Sequence, residues 1–358
     1  MTGVRAIAAF MVFLHHYNPF PANKYGTYLY NFTQELHIGV TLFFVLSGFL
    51  IAYRYSDLTN FSFRNYMVNR IARIYPMYFL LTTLAFIGLI RFGHQSITGV
   101  FPTYLLNVSF LRGFFDQFKF TGIAQGWSLT VEETFYLFAP VFFFLIRRNR
   151  YYLITLPVLL VTFGVGLVFL FNGRNTYGFF NSYDFLFNYT FFGRCFEFFI
   201  GIGLAIVYKQ NVLKPKFKYF TYLGILGIIS CVFLISLLKG NADFGIRHPL
   251  GKLINTFLLP AIGISVFYFG LLTERTLVSS LLGSKLFVIL GKSSYIFYLI
   301  HVGIFATILH KFTSNLLLIF LAINLISIIL YTFIEHPLND YIRKRFVRRI
   351  GQPAYVLN

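Results

Sequence analysis

The chain has 358 residues, of which 57% are hydrophobic and only 11% charged, and its mean hydropathy is +0.71. Soluble domains carry roughly 25% charged residues, so this sequence has too few to cover a water-facing surface of its size, which excludes a soluble globular fold. The formal net charge of +19 does not mark a nucleic-acid binder, because Lys and Arg fall in short clusters between apolar runs and form no continuous stripe.

Apolar runs of about 17 to 25 residues, the length that crosses a bilayer, predict helices near 3–19, 37–54, 74–91, 126–146, 151–171, 189–208, 219–238, 251–271, 286–310 and 314–334. The expected fold class is all-α: a polytopic membrane bundle of about ten transmembrane helices. It forms one transmembrane domain over 1–340, followed by a basic cytoplasmic tail over 341–358. The apolar segment 101–111 is too short to span and reads as re-entrant or interfacial, and 92–125 reads as a loop. Forty-nine Phe and 25 Tyr suit a lipid-facing exterior with aromatic belts. Neither an internal repeat nor a broken-helix pair is evident. The first helix carries polar groups and no small-residue cleavage site, so a removable signal peptide is not expected.

Basic residues set the expected orientation. With the N-terminus inside, the inner loops and tail hold Arg5, Arg54, Arg64, Arg70, Arg73, Arg147, Arg148, Arg150, Lys209, Lys214, Lys216, Lys218, Arg275, Lys285, Lys292, Arg343, Lys344, Arg345, Arg348 and Arg349. The outer loops hold Lys24, Arg91, Arg112, Lys119, Arg174, Lys239, Arg247, Lys252 and Lys311. Twenty against nine, alternating loop by loop, predicts both termini in the cytoplasm. Such clusters also favour contact with anionic lipid headgroups.

An ionisable residue within a span is costly and so becomes a functional candidate. Helix one reads V-R-A-I-A-A-F-M-V-F-L-H-H-Y. Arg5 and His16 are eleven residues apart, close to three turns and about 16 Å along the axis, so they project from one face. His15 points about 100° away, which predicts different roles for the two histidines. The alternative is an interfacial histidine pair with Arg5 as the first inside charge. Helix four opens G-W-S-L-T-V-E-E-T-F-Y, with Trp127 at the outer interface and Glu132 and Glu133 one to two turns inside. The two carboxylates cannot face the same way. One at the depth of His16 would make a general-base arrangement, the acid orienting the ring; the other reading is a structural ion-pair member.

Arg194 and Glu197 lie at i and i+3 and can satisfy each other along their helix. His301 follows Tyr295 and Tyr298 in S-S-Y-I-F-Y-L-I-H and is either a hydrogen-bonded core histidine or a site residue. Ser47-Gly48 allows close helix packing. In R-N-Y-M-V-N-R-I-A-R-I-Y-P, Arg64, Arg70 and Arg73 precede Pro76, the expected start of helix three. They read either as ordinary inside charge or as a phosphate-binding cluster at a helix N-terminus. Cys195 and Cys231 stand in apolar stretches without metal or redox spacing and read as packing thiols. No zinc pattern, P-loop or dinucleotide fingerprint is present, and no metal site is expected.

Taken together these motifs resemble the acyltransferase-3 family of membrane O-acyltransferases over essentially the whole chain. The Arg5 to His16 spacing is similar to the family's first-helix pattern, and G-V-T-L-F-F-V-L-S-G-F-L-I to its second-helix motif. R-I-A-R-I-Y-P resembles its basic motif, and G-W-S-L-T-V-E-E-T-F-Y its Trp-Ser-Leu-x-x-Glu block, which points to Glu132. S-S-Y-I-F-Y-L-I-H and Y-T-F-I-E-H-P resemble its late blocks. The resemblance implies transfer of an acyl group, usually acetyl from acetyl-CoA, to a hydroxyl of a carbohydrate or other glycoconjugate. It implies His16 and Glu132 as catalytic groups, with Arg5, Arg70 and Arg73 on the donor phosphates. Trp127, Ser128, Tyr298 and His301 are expected to contact substrate or support the site.

In that scheme His16 is a general base, or a transient acyl-histidine if donor and acceptor never meet. Acyl-CoA is a co-substrate and no cofactor is bound permanently. The expected partners are the acceptor glycoconjugate, membrane lipid and, for a stand-alone member without a hydrolase-like domain, a separate extracytoplasmic protein. The expected location is a bacterial inner membrane, and the natural start is expected a few residues before this one. The rival class is a transporter or flippase for a lipid-linked sugar or small solute.

Overall fold

In hydrocarbon every backbone N–H and C=O must be paired within the protein, so apolar segments of this length close into helices. The computed structural model describes residues 1–57, 61–210 and 218–347. Lys214, Lys216, Arg348, Arg349 and residues 348–358 of the expected tail lie outside them. Among the described residues the regular structure is helical and without strands, and one isolated β-bridge joins Phe115 and Phe179.

The principal helices are α1 (Thr2–His16), α2 (Gly39–Tyr55), α3 (Phe63–Phe92), α4 (Ile97–Val108), α5 (Trp127–Arg148), α6 (Tyr152–Phe171), α7 (Phe191–Lys209) and α8 (Phe220–Leu237). They continue with α9 (Pro249–Thr273), α10 (Lys285–Ile300), α11 (Ile304–His310) and α12 (Leu316–Phe346). Side-chain caps fix several starts: Ser62, Thr190 and Ser284 accept from the backbone N–H of Asn65, Gly193 and Phe287.

Eight helices among the described residues are long and apolar enough to cross a membrane, or nine if α10 and α11 count as one bent span. Each coincides with one of the ten predicted segments. The tenth, α1, stops at His16 and has 15 residues. At 1.5 Å per residue it reaches about 22 Å, short of a hydrocarbon core of roughly 30 Å.

Three features differ from the sequence reading. First, α3 does not begin at Pro76; it starts at Phe63 and runs through the proline. Arg64 therefore sits in the first turn, whereas Arg70 and Arg73 lie along the shaft and gain nothing from its N-terminal dipole. The proline removes only the hydrogen bond to the Ala72 carbonyl, which a long packed helix tolerates. Second, a broken pair does exist: α10 and α11 meet at 90°, and Gly303 at the corner has φ +85°, a left-handed value that glycine adopts without strain. Third, the boundary expected at 340 falls inside a helical turn sequence, His336–Phe346, and Arg343 Nε donates to Asn69 Oδ1 of α3 at 3.0 Å. Wider turns occur at Ile254–Ile264 in α9 and Tyr331–Glu335 in α12.

Helix α2 is central, with 78% of its apolar window inside the protein, whereas α6 and α12 are peripheral at 22% each. It packs on α7 where two glycines face each other's backbone. A Cβ on Gly48 would collide with the Phe198 carbonyl, and one on Gly201 with the Val45 carbonyl. Helix α1 lies between α2 and α10, parallel to α10: the backbone of Thr2 crosses Gly291 at one end, and the rings of His16 and His301 meet at the other. Gly201→Ala should cost about 1–3 kcal/mol by overpacking, seen as a lower unfolding midpoint in detergent. Gly203→Ala, whose Cβ would meet Leu153 at an ordinary 3.4 Å, should leave the midpoint unchanged.

Candidate active site

Six helices enclose a cavity of about 280 Å³. One end is ionic: Thr2 and Arg5 of α1, Arg73 of α3, Lys292 of α10, and Glu335 and Asn339 of α12. The middle is lined by Ser47 of α2 with Glu132 and Tyr136 of α5. The far end is lined by Phe43, Ser128 and Tyr298. The ordering follows from helix register. Along α10, Lys292 precedes Tyr298 by about 9 Å and His301 by about 13 Å.

Beyond Tyr298 lies a cluster of imidazoles. The buried His301 holds its Nδ1 against the Tyr298 carbonyl at 2.8 Å. A carbonyl only accepts, so Nδ1 carries the hydrogen and Nε2 keeps its lone pair. That Nε2 is buried without a partner, and the His16 ring lies 5.4 Å away between centroids. The His16 ring is itself exposed. Arg5 and His16 thus both face α10, as their spacing on α1 predicts. His15 turns the other way, its Nδ1 on the Gln34 carbonyl.

The far end joins Ser128 and Tyr298, both expected from the sequence, to Gln125 and Arg112, which the sequence did not single out as site residues. Gln125 Nε2 donates to the carbonyls of Tyr298 (2.8 Å) and Leu299 (3.1 Å). Ser128 Oγ donates to the Gln125 carbonyl at 3.0 Å and contacts the Tyr298 hydroxyl at 2.9 Å. The loop before α5 is held by the fully buried Arg112, which donates to the carbonyls of Thr121 and Ile123. The one sequence signal was an arginine inside an apolar run, read as an outer-loop charge. Glu335 was visible only as part of a closing motif; Lys292 was counted as inside charge, and Tyr136 gave no signal of its own.

The structure does not join Glu132 to His16. Glu132 accepts hydrogen bonds from the hydroxyls of Ser47 and Tyr136. Ser128 is level with Tyr298, and Glu132 lies one turn further toward Arg5, which leaves roughly 10 Å of axial separation from the His16–His301 level. Glu133 turns away from the cavity to the side of Arg70. Arg70 is buried, stacks over the Tyr136 ring at 5.7 Å and does not line the cavity, unlike Arg5 and Arg73. Trp127 lies outside it too, edge-on to Tyr189 at 5.0 Å.

Arg194 and Glu197 form a closed unit. The guanidinium donates to Glu197 at 2.7 and 3.0 Å, to the Asn188 carbonyl at 3.1 Å and to Thr41 at 3.0 Å. Both are buried. Among the described residues no group of three or more His, Cys, Asp or Glu is arranged to hold a metal ion.

A helical bundle of membrane-spanning length with an internal ionic cavity defines an integral membrane protein. The profile of the family described as "Acyltransferase domain" matches residues 1–348, and the chain belongs to that acyltransferase-3 family. It is 26% identical over 368 residues to O-acetyltransferase OatA of Staphylococcus aureus (strain NCTC 8325 / PS 47), covering 94% of this chain and 56% of OatA. A protein of S. aureus (strain COL), provisionally named an O-acetyltransferase, is 24% identical over 99% of this chain and 59% of its own length. YrhL of Bacillus subtilis (strain 168), provisionally named a peptidoglycan O-acetyltransferase, is 27% identical over 61% of this chain and 35% of its own length. The chain thus spans less than two thirds of the length of these relatives. No solved structure matches it.

Removing one partner of a buried ion pair costs about 3–5 kcal/mol, while replacing both by apolar residues is often neutral. Arg194→Met should therefore sharply reduce the amount of folded protein, and Arg194→Met with Glu197→Leu should recover most of it, measured by size-exclusion profiles of detergent extracts.

Proposed function

We propose that this protein is a membrane O-acetyltransferase that moves an acetyl group from cytoplasmic acetyl-CoA to a hydroxyl of a cell-surface carbohydrate such as peptidoglycan. The observation that carries the reading is the cavity that runs from Arg5, Arg73 and Lys292 to Tyr298, with the rings of His301 and His16 beyond it. Family membership and the names of the relatives support it.

With the Arg5 end in the cytoplasm of a bacterial inner membrane, as the positive-inside rule predicts, the three cations meet the phosphates of the donor. Guanidinium groups suit phosphate geometry, and Lys292 adds a point charge. At about 280 Å³ the cavity lies just below the roughly 300–1,000 Å³ of small-molecule sites. It houses the pantetheine arm, and the nucleotide remains at the mouth. The hydroxyls of Ser47, Tyr136 and Ser128 line the way for the arm's amides. Glu132, bound by two of them, keeps that lining in place. It is a positioning residue here, not the partner of the base.

His16 is the catalytic base. Its exposed ring meets the acceptor and takes the hydroxyl proton as oxygen attacks the thioester carbonyl; the C–S bond then breaks and the thiolate leaves with its electron pair. His301, its Nδ1 held by the Tyr298 carbonyl, packs its ring 5.4 Å from that of His16 and so limits the orientations open to it. Arg70 serves this reading less well than Arg73 and Lys292, because it is packed away from the cavity.

A transporter reading is favoured by one observation, the 90° break between α10 and α11, since broken helices mark many solute sites. Membranes containing the protein separate the two readings. The enzyme transfers label from [14C]acetyl-CoA into base-labile acetate; a transporter moves solute without doing so. His16→Ala should lower this transfer at least about 100-fold with unchanged membrane insertion. Arg73→Ala and Lys292→Ala should raise the KM for acetyl-CoA about tenfold or more, one lost charged contact being worth about 1.5–3 kcal/mol. Near-normal transfer by His16→Ala would refute its assignment.

A further inference from the structure

The mechanism above leaves one set of titratable groups unused. His15, His37 and Glu35 lie beside His16, on the side away from His301. The ring of His16 meets His15 at 4.8 Å, and His15 meets His37 at 5.4 Å. His37 Nε2 stands 3.1 Å from Glu35 Oε2. Glu35 is fully buried, and its other oxygen accepts from the Gly245 N–H at 2.6 Å. Phe244 covers both His15 and His37, at 5.3 and 6.0 Å.

Hydrogen bonding fixes the direction of this row. His15 donates through Nδ1 to the Gln34 carbonyl, so its Nε2 keeps a lone pair that can accept a proton. His37 donates through Nε2 to a carboxylate buried away from water. From His16 outward the row is therefore the open Nε2 of His15, the ring of His37 and the buried carboxylate of Glu35. The His37 side chain is 18% exposed, so the row reaches solvent. Ring gaps of this size are bridged by one water or by a turn of one ring. Charged groups on the neighbouring segments are already engaged: Lys239 donates to Asn31 at 3.1 Å, and Arg247 pairs with Asp243 at 3.0 Å.

We propose that His15, His37 and Glu35 form a proton relay that drains the proton His16 takes from the acceptor hydroxyl. The inference rests on the acetyltransferase reading above. The acceptor O–H bond breaks, its oxygen gains the acetyl carbon, and the C–S bond of the donor breaks. The thiolate takes a proton from water at the Arg5 end, and the hydroxyl proton leaves through His16, His15 and His37 to water at the histidine end. Each turnover then consumes one proton at one face of the bundle and releases one at the other. His15, His37 and Glu35 touch neither substrate and act only through His16.

The test uses membranes from cells that make the full chain, with [14C]acetyl-CoA as donor and base-labile acetate as the readout. His37→Ala should lower the maximal rate about tenfold or more while leaving the KM for acetyl-CoA unchanged, and added imidazole should restore most of the rate. Glu35→Gln keeps a carbonyl acceptor for the Gly245 N–H and so preserves the loop. It too should reduce the rate about tenfold and move the pH–rate profile. Unaltered rates in both variants overturn the relay. So does a loss in His37→Ala that imidazole does not reverse, because a purely structural defect is not repaired by a free base. If the unmodified protein transfers no label, the acetyltransferase reading itself fails; an active parent with fully active variants defeats the relay alone.

Discussion

At Tyr298 to His301 a transmembrane helix ends inside the bundle, and the carbonyls of its last turn have to find donors there. Unpaired groups in such a place cost several kcal/mol each. Gln125 supplies one amide to two of these carbonyls, and His301 supplies its own Nδ1–H to one of them. Much else depends on this arrangement. It ties the start of α5 to the end of α10, requires the preceding loop to be held by the buried Arg112, and leaves His301 with one unpartnered nitrogen and its ring 5.4 Å from that of His16. The turn at Gly303 then carries the chain away at 90°. A straight helix would have donated its backbone N–H groups to those carbonyls and left Gln125 without a task.

The polar groups of the interior fall into three sets. Arg194, Glu197, Thr41 and Asn188 close on themselves and join α7 to α2. Arg5, Arg73, Lys292, Glu335 and Glu132 face a common cavity with only some of their hydrogen-bonding capacity filled; Glu335 keeps an oxygen without a partner. The histidine row lies past the far end of that cavity. The first set is finished chemistry, whereas the other two still have capacity for a ligand or a proton. This difference in satisfaction, more than the mere presence of charge, separates a structural pair from a site.

Much of this organisation was legible in the sequence. Apolar length marked the eight spanning helices and the bent pair α10–α11, and the eleven-residue spacing on helix one placed Arg5 and His16 on the face that meets α10. The i, i+3 spacing of Arg194 and Glu197 foretold their pairing. What could not be read was the relative height of residues on different helices. Glu132 and His16 both lie near the ends of their helices, and their depths looked equal. The bolt between Ser128 and Tyr298 sets α5 so that Glu132 falls nearer Arg5. Pro76 was read as a helix start because proline is favoured in a first turn, yet in a membrane bundle the neighbours stabilise a helix through it. Glu35 and His37 lie outside the predicted span or at its rim, where single charges look like surface residues. Only the fold brings them to His15.

The central claim is that one path joins the Arg5 end of the bundle to His16. It is tested most directly by determining the structure of the protein with a non-transferable thioether analogue of acetyl-CoA. The account predicts density with the nucleotide phosphates at Arg5, Arg73 and Lys292. The arm should pass Glu132 and Ser128, and the acyl group should lie within about 3–3.5 Å of its attacking partner's position beside His16. An analogue bound away from this cavity, or with its phosphates at the histidine end, would contradict it.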